Sequence, residues 1–597
     1  MLRLKWIWKN MYGKRKYFVI GMVLSVIISA MTVVTPKLTQ IIIDKVWNGT
    51  ADEKFFITIV LAVVVIKFLR TVGKFLMHNF LEISSQKVLV TIQRELFGNL
   101  VTQEPEFFDR NRTGDIISRA TGDLDYIRHV IAGVSHIVLE AIVMLLSAIV
   151  MLSTMHIGLA VSMLIITPII LIITIKYSNY IRPFYVKQRN MSAEMNTMAQ
   201  ENIAGNRVVK AFSREEYEED KFYKLRKEFA DYNNKIVIKQ QIFARVIALL
   251  TDILGVILIA LGGYFVITTQ GETGIFQLTI GEIAAFSSTR FMLATPLQSI
   301  ANVTNDLQRF NASADKVMEI YYNKPLISDR YDCYDTPERI KGAIKFENVS
   351  FSFGDNKLFE NLSFEIKPEE TIAIMGPTGS GKTALLNLLC RMYEPDKGKI
   401  YIDGIDVHMW KLSKLHSSIG VAMQDVFLFS DTINSNISYG NPDMPQGDIK
   451  TYSKVADADG FIEKLDEGYD TVVGERGVGL SGGQRQRISL ARALAVRPPI
   501  LILDDTTSAV DMETEKHIQE ELRKLDFPCT KIIVAQRISS VRRADRIFIL
   551  NGGKLTVGTH ESLSSKPGYY REICKLQNIP DLVEIPEEDK GGDGNGK

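Results

Sequence analysis

Four long apolar runs in the first half of the chain constrain its fold more than any other feature. Each is close to the ~20 residues that cross a bilayer as a helix: residues 18–34, 131–151, 159–175 and 247–267. Two weaker runs, 55–76 and 280–303, are interrupted by charged side chains. Because a membrane span must satisfy its own backbone hydrogen bonds, runs of this length predict helices. The first half is therefore expected to be an α-helical membrane domain.

The charge of the N-terminus predicts how these helices are oriented. The first seventeen residues carry six Lys or Arg and no acidic residue, which favours a cytoplasmic start. Residues 79–129 and 177–245 are long, charged and helix-patterned, so they are expected to extend into the cytoplasm. Charges within the runs, at Glu140, Asp252 and Arg290, should face the bundle interior or water, and an Asp252–Arg290 pair stays open.

The second half of the chain contains a phosphate-binding motif. The segment GPTGSGKT at residues 376–383 fits the pattern G-x-x-x-x-G-K-[ST], in which backbone N–H groups cradle phosphates. Lys382 is expected to reach the β- and γ-phosphates, and Thr383 to hold Mg²⁺. The loop predicts one site for ATP and Mg²⁺, with nucleotide contacts from Gly376, Pro377, Thr378, Gly379, Ser380, Gly381, Lys382 and Thr383.

Two later segments narrow the class of NTPase. The run LSGGQRQR begins at Leu480, and an apolar strand at 500–503 ends in Asp504 and Asp505. Together with the phosphate loop, these segments resemble the ATP-binding cassette (ABC) family. The resemblance implies an α/β P-loop NTPase domain and a head-to-tail dimer, in which LSGGQ serves the partner's nucleotide through Ser481, Gly482, Gly483 and Gln484. Glycines and a helix N-terminus suit close approach to phosphate.

Other positions match the remaining parts of the cassette. Asp504 corresponds to the aspartate that holds Mg²⁺, and Gln424 to the glutamine that senses Mg²⁺ and water. Phe353 stands where the family usually has a tyrosine that stacks on adenine, which an aromatic face of either kind can do. Its place in an alternating strand also fits a core residue. Residues 508–511 resemble the loop that signals between the two ATP sites.

Two residues differ from the family pattern, and both are expected to contact the ATP that is bound by this chain's own phosphate loop. Where the family usually has a glutamate that polarises the attacking water, this chain has Asp505. Its carboxylate is one methylene shorter, and a misplacement of ~1 Å can cost about 100-fold in rate. Gln536 replaces the family's histidine, and an amide carries no charge and exchanges no proton near neutral pH. This site is therefore expected to bind ATP and to hydrolyse it slowly.

The resemblance extends to the cytoplasmic extensions of the membrane half. Segments 107–125 and 201–222 resemble the intracellular loops of six-span exporters, whose short coupling helices press on the cassettes. Because its own ATP site is altered while its LSGGQ segment is intact, the chain is expected to be one half of a heterodimeric ABC exporter of amphipathic drugs or lipid-like molecules, whose other half supplies the glutamate and histidine. The expected organisation is a six-helix domain to residue 311, a linker to 339, a cassette at 340–577 and a disordered tail at 578–597.

Three features bound the remaining choices. The net charge of +1 gives no case for a nucleic-acid partner. Four cysteines, Cys333, Cys390, Cys529 and Cys574, have no metal-ligand spacing and suggest reduced cytoplasmic thiols. Expected partners are a second ABC half-transporter, membrane lipid and the substrate. The expected location is the cell membrane, with both termini and the cassette in the cytoplasm. The alternatives are a homodimeric exporter with slow turnover, or a regulatory or channel-like subunit gated by ATP binding.

Overall fold

The computed structural model describes residues 2–155, 157–268, 278–333, 340–474, 477 and 479–577. The chain divides into two compact units, one formed by Met1–Val101 with Arg112–Asn323 and the other by Thr102–Asn111 with Lys324–Lys597. The domain boundaries expected from the sequence stay predictions. The expected tail at 578–597 and the last linker residues at 334–339 lie outside the described residues.

Helices make up the described regular structure as far as Tyr322. In chain order they are α1 Leu2–Asn10, α2 Arg15–Ala30, α3 Val34–Trp47, α4 Glu53–Val101, α5 Pro105–Arg110, α6 Thr113–Ser118, α7 Leu124–His129, α8 Ser135–Met155, α9 Ile157–Ala204, α10 Asn206–Ala211, α11 Glu215–Thr268 and α12 Ile280–Tyr322. Two π-helical turns, Arg119–Asp123 and Val130–Val134, join α6 to α7 and α7 to α8. Helix α5 belongs to the second unit.

Within the described residues, four helical segments are long and apolar enough to cross a membrane. They are Arg15–Trp47, Glu53–Val101, Thr113–Thr154 and Glu215–Tyr264. They take in the expected runs 18–34, 55–76, 131–151 and most of 247–267. The run at 159–175 lies within α9, but most of its side chains lie outside the described residues. The count of six membrane helices therefore stays a prediction.

A polar cap fixes the start of α12. Thr279 and Glu282 form a reciprocal capping box at its first turn. Asp44 of α3 accepts hydrogen bonds from the Gly281 backbone N–H at 2.9 Å and from the Thr279 hydroxyl at 2.9 Å. Glu282 interrupts the sixth apolar run in the sequence because it caps a helix. The side chain of Arg290 lies outside the described part of the chain, so the pairing with Asp252 stays open.

The second unit is built on two sheets. The strands are β1 Ile344–Phe353, β2 Asn356–Ile366, β3 Thr371–Met375, β4 Lys397–Ile402, β5 Ile405–Asp406, β6 Ile419–Ala422, β7 Ile500–Asp504, β8 Thr530–Val534, β9 Arg546–Asn551 and β10 Lys554–Gly558. One sheet has the order β2-β1-β4-β5 and is antiparallel. The other has the order β10-β9-β3-β8-β7-β6, and only β10 runs antiparallel to its neighbour.

Helices cover the larger sheet. They are α13 Lys382–Leu389, α14 Leu412–Ser417, α15 Ile433–Ile437, α16 Gln446–Val455, α17 Asp459–Ile462, α18 Gly482–Ala495, α19 Met512–Glu521, α20 Ile538–Val541, α21 His560–Ser564 and α22 Tyr569–Leu576. One apolar cluster joins both sheets with α13. A second buries one side of α18 against β7 and the α15–α17 region. The packing of this face fixes the position of α18 within the unit, and with it the LSGGQ segment at the start of the helix.

Candidate functional site

The parallel strands bring most of the expected site residues to one edge of the larger sheet. Strands β3, β8, β7 and β6 are parallel neighbours, and Val534 of β8 lies opposite both Ile374 and Asp504. The phosphate loop, Gln536, the Asp504–Asp505 pair and Gln424 follow the carboxyl ends of these four strands in that order. Ligands of open α/β sheets bind at this edge, so the topology itself forms the site.

The phosphate loop has the backbone conformation that its glycines require. Gly379 and Gly381 have φ of 80° and 96°, in the left-handed region, and Gly381 caps α13. A Cβ on Gly376 would lie 2.1 Å from the Leu550 carbonyl oxygen, so only glycine fits there. Lys382 begins α13 and donates hydrogen bonds to the carbonyls of Gly376 at 2.8 Å and Pro377 at 2.9 Å. Burial lowers the pKa of Lys382, and the nearby charges of Asp504 and Asp505 oppose this shift.

The loop is open on one side and has an unused polar group. Pro377–Ser380 line a pocket of about 640 Å³ together with parts of β2 and the turn between β9 and β10. The Ser380 hydroxyl is buried and has no hydrogen-bond partner among the residues that the structure describes. Such a group is costly unless a ligand bonds it, so the loop fits an anion. Phe353 is 50% exposed at the end of β1, with its ring 6.0 Å from that of Tyr393, and is therefore not a core residue.

Thr383 and Asp504 meet where Mg²⁺ is expected. The Thr383 hydroxyl donates to Asp504 Oδ2 at 3.3 Å, and Asp504 is only 6% exposed. Burial raises the pKa of Asp504, with a contribution from the charge of Asp505, while Thr383 and Lys382 act against the shift. Mg²⁺ is commonly held by one or two protein oxygens, phosphate and water, and these two side chains fit that role. No cluster of three His, Cys, Asp or Glu within the described residues offers a separate metal site.

Asp505 lies next to Asp504 with an unusual backbone. Its φ of 49° is in the left-handed region, where aspartate is among the better tolerated non-glycine residues. Its N–H donates to the Val534 carbonyl at 2.9 Å. Gln536 is exposed, and its carbonyl accepts a hydrogen bond from Gln577 at 2.9 Å. Gln424 is also exposed, in the loop after β6. Their catalytic and sensing roles stay predictions.

The LSGGQ residues lie at the N-terminus of α18. Ser481 is the N-cap, and its hydroxyl accepts from the Gln484 N–H at 3.2 Å while the Gln484 side chain accepts from the Ser481 N–H at 2.8 Å. A Cβ on Gly483 would lie 2.7 Å from the Ala509 carbonyl oxygen, whereas one on Gly482 would find its nearest atom at 3.6 Å. Close packing on Ala509 therefore requires glycine at position 483, which the sequence did not reveal.

Two further residues make contacts between elements of this unit, and the sequence did not predict them. Gln486 of α18 is 7% exposed and donates a hydrogen bond to the Asp505 carbonyl at 3.3 Å. The Tyr393 hydroxyl donates to Asp109 of α5 at 2.5 Å, within the second unit. A polar residue on a helix and a tyrosine in a turn look like surface residues until their burial and contacts are known. Neither position carried a signal in a single sequence.

Comparisons with known proteins agree with this architecture. Residues 18–297 match the ABC transporter transmembrane region, and residues 359–508 match the ABC transporter domain. The chain is 34% identical to the uncharacterized ABC transporter ATP-binding protein YknU of Bacillus subtilis, over 94% of this chain and 95% of that protein. It is 31% identical to the ATP-dependent lipid A-core flippase of Syntrophus aciditrophicus, over 95% and 93%. A bacterial Atm1-family ABC exporter with ATP bound has a TM-score of 0.78 at 26% identity, over 94% of this chain and 99% of that one.

The fold and the site define an ATPase that is coupled to transport. The chain belongs to the ABC transporter family, and within it to the half-size exporters, in which a helical membrane domain is fused to one ATP-binding cassette. The fold class predicted from the sequence, helical membrane domain plus α/β cassette, is confirmed, and so is the assignment as an ABC-type ATPase.

Proposed function

We propose that this chain is the subunit of a heterodimeric exporter that carries the weaker of two ATP sites. Its own phosphate loop binds ATP, and Asp505 with Gln536 makes hydrolysis there slow. Its LSGGQ segment completes a site on a partner that supplies the missing glutamate and histidine. Export of the substrate then depends mainly on hydrolysis at the partner's site.

The position of Asp505 carries this proposal. It follows directly after Asp504, so its carboxylate occupies the place of the water-polarising group with one methylene less reach. Asp505 has a left-handed φ, and the hydrogen bond from its N–H to the Val534 carbonyl limits how far its backbone can shift to compensate. A loss of about 100-fold from a misplacement of ~1 Å is enough to make the site slow.

The predicted site residues of this chain have three proposed roles. Lys382 and the loop Gly376–Thr383 hold the phosphates, and Phe353 stacks on adenine. Thr383 and Asp504 would hold Mg²⁺, Gln424 would sense it, and the ion would neutralise charge on the phosphates. The ordered capping box of Ser481 and Gln484 presents a helix N-terminus, a suitable end for the partner's phosphates.

The substrate proposed for this exporter is an amphipathic drug or a lipid-like molecule. Two relatives support it by their names, the lipid A-core flippase and the putative multidrug export protein YgaD of Bacillus subtilis, which is 31% identical. We place the protein in the cell membrane with six helices, and with both termini and the cassette in the cytoplasm. Helix α5, which bonds Tyr393 of the cassette, is proposed to transmit ATP-driven closure to the membrane helices.

The test is the subunit composition of the complex purified from its native membrane through a tag on this chain. Intact-protein mass spectrometry should find a second, different half-transporter, whose sequence supplies the glutamate and histidine. A fully active complex of two identical chains would overturn the proposal in favour of a homodimeric exporter. ATP-dependent conductance without transport would instead favour a channel-like subunit.

A further inference from the structure

Gln486 makes three hydrogen bonds to the segment that begins at Asp505. Its Nε2 donates to the Asp505 carbonyl at 3.3 Å and to the Ser508 hydroxyl at 3.0 Å. Its Oε1 accepts from the Ala509 N–H at 3.1 Å. The Ser508 hydroxyl in turn donates to the Asp505 carbonyl at 2.9 Å. One buried amide therefore uses both its donor and its acceptor on a single short segment.

This segment would not hold its conformation by itself. Asp505 has a left-handed φ of 49°, a conformation that persists only where neighbouring groups impose it. Its N–H is fixed by Val534, and its carbonyl by Gln486 and Ser508. With both ends of the residue held, the direction of its Cα–Cβ bond is set. The placement of the Asp505 carboxylate thus depends on the Gln486 amide.

The same residue is rigidly connected to the LSGGQ segment. Gln486 lies on α18 five residues after Ser481, a rise of about 7.5 Å along one helix. Gly483 packs its backbone on Ala509, so the helix and the segment also meet without any side chain between them. We therefore expect a shift of Asp505 to displace the start of α18, and a shift of Ser481 to displace Asp505.

We infer that Gln486 is a positioning residue that ties the carboxylate of this chain's own ATP site to the LSGGQ segment serving the other site. The inference rests on the head-to-tail dimer of the proposed function, because only there do Asp505 and Ser481 face different nucleotides. Arg537 holds the same segment from the other side, donating to the Ser508 carbonyl at 3.2 Å. From α18, the Gln486 amide bonds the Asp505 carbonyl itself.

The test compares Gln486→Met with Gln519→Met in the purified complex. Methionine keeps the volume of glutamine and removes all three hydrogen bonds. Gln519 is a half-buried glutamine of the same cassette whose side chain donates to Glu515, outside this segment. For each variant, kcat and KM for ATP are measured together with the ATP bound per complex on ice, which counts the folded sites.

In Gln486→Met, kcat per bound ATP should fall by about 10-fold or more, because loss of the tie misplaces the LSGGQ segment at the site that it completes, with KM changed less than about 3-fold. Gln519→Met should match wild type. Unchanged kcat per bound ATP in Gln486→Met, with any activity loss explained by fewer folded sites, would overturn the inference. Subunit composition is scored separately, so a homodimer with a low kcat in Gln486→Met would end the heterodimer proposal and leave Gln486 in its role.

Discussion

At the residue scale, the site is defined by which atoms each side chain can reach. The sequence was sufficient to predict that Lys382, Thr383 and Asp504 lie close together, because they belong to local motifs at the ends of neighbouring strands, and their roles stay predictions. It could not identify Gln486 or the packing role of Gly483. Both depend on Ala509, which lies far away in the chain and next to α18 in the fold. Burial of Phe353 was left open by strand alternation, and its exposure depends on where β1 ends.

Asp505→Asn tests whether Asp505 is the main catalytic carboxylate. Asparagine tolerates a left-handed φ, so the backbone should not change while the charge is lost. Because hydrolysis is proposed to occur mainly at the partner's site, ATPase activity of the complex should fall less than about 3-fold. A loss of about 100-fold in steady-state turnover would identify Asp505 as the main catalytic group.

Ser481→Ala tests the contribution of LSGGQ to the partner's site. It removes an N-cap at a stability cost of about 1 kcal/mol, and ATPase activity should fall by about 100-fold or more. Thr559→Ala is the matched control, since Thr559 caps α21 with the same kind of capping box. It should cost similar thermal stability and leave turnover unchanged. Equal ATPase activity in the two variants would contradict the role of Ser481.

At the element scale, most of the cassette follows from local rules, whereas the contacts between its elements do not. Strand β3, the phosphate loop and α13 appear where the motif predicts them, and α18 begins at its cap. Helix α12 begins at a capping box that includes Glu282, whereas hydropathy alone indicates only a charged residue within an apolar run. The cluster of His408 with Glu394 and Asp406 has no sequence signal, because Glu394 lies fourteen positions away and is brought near by the fold.

Gly482 and Gly483 should differ sharply in thermal stability when each is replaced by alanine. A Cβ at position 483 meets the Ala509 carbonyl at 2.7 Å, so Gly483→Ala forces α18 away and should cost about 1–3 kcal/mol. At position 482 the nearest atom is at 3.6 Å, and Gly482→Ala should unfold close to the wild-type temperature. Similar unfolding temperatures for both variants would contradict the packing on Ala509.

His408 should make part of the cassette's stability depend on pH. Its imidazole contacts Glu394 at 2.5 Å and Asp406 at 2.7 Å, and the Glu394 hydrogen bond is the main reason that its pKa is raised. A raised pKa stabilises the fold at pH below the ordinary value of about 6.5, and this contribution is lost as pH rises through the folded pKa. Arg391 also contacts Glu394, and Lys399 lies near Asp406.

The two carboxyls act in the opposite direction. Burial favours their neutral forms, but hydrogen bonds with His408 leave the pKa of Glu394 and of Asp406 lowered, so their contribution is lost only as pH falls into the acid range. His408→Gln should therefore remove a step of about 1 kcal/mol from the thermal stability profile above neutral pH. A profile of His408→Gln that is parallel to wild type across that range would exclude this ion cluster as the cause.

At the scale of the whole molecule, the architecture was predictable from the order of apolar runs and motifs. The division between the two units was harder to predict from the sequence. Thr102–Asn111 belongs to the same compact unit as the cassette, although it lies within the membrane half of the sequence. Its contacts are specific: Asp109 accepts from Tyr393, and Glu104 accepts from the Leu326 N–H at 3.0 Å. A pattern of solvated helical charge does not reveal such long-range partners.

Tyr393→Phe should weaken the link between ATP hydrolysis and transport. It removes only the hydroxyl that bonds Asp109, so ATPase activity should stay within about 3-fold of wild type while substrate transported per ATP falls by more than half. Tyr439→Phe changes an exposed tyrosine of the same cassette and should leave both rates unchanged. Proportional loss of ATPase and transport in Tyr393→Phe would argue against a coupling role.

The placement of Thr102–Asn111 also has a consequence for biosynthesis. Glu104 leaves the ribosome 222 residues ahead of Leu326, its partner in the finished unit. The C-terminal part of the chain alone therefore lacks one piece of this compact unit, and that piece is synthesised before the cassette. A fragment that begins at residue 324 would therefore leave the Leu326 N–H and the Tyr393 hydroxyl without their Glu104 and Asp109 partners.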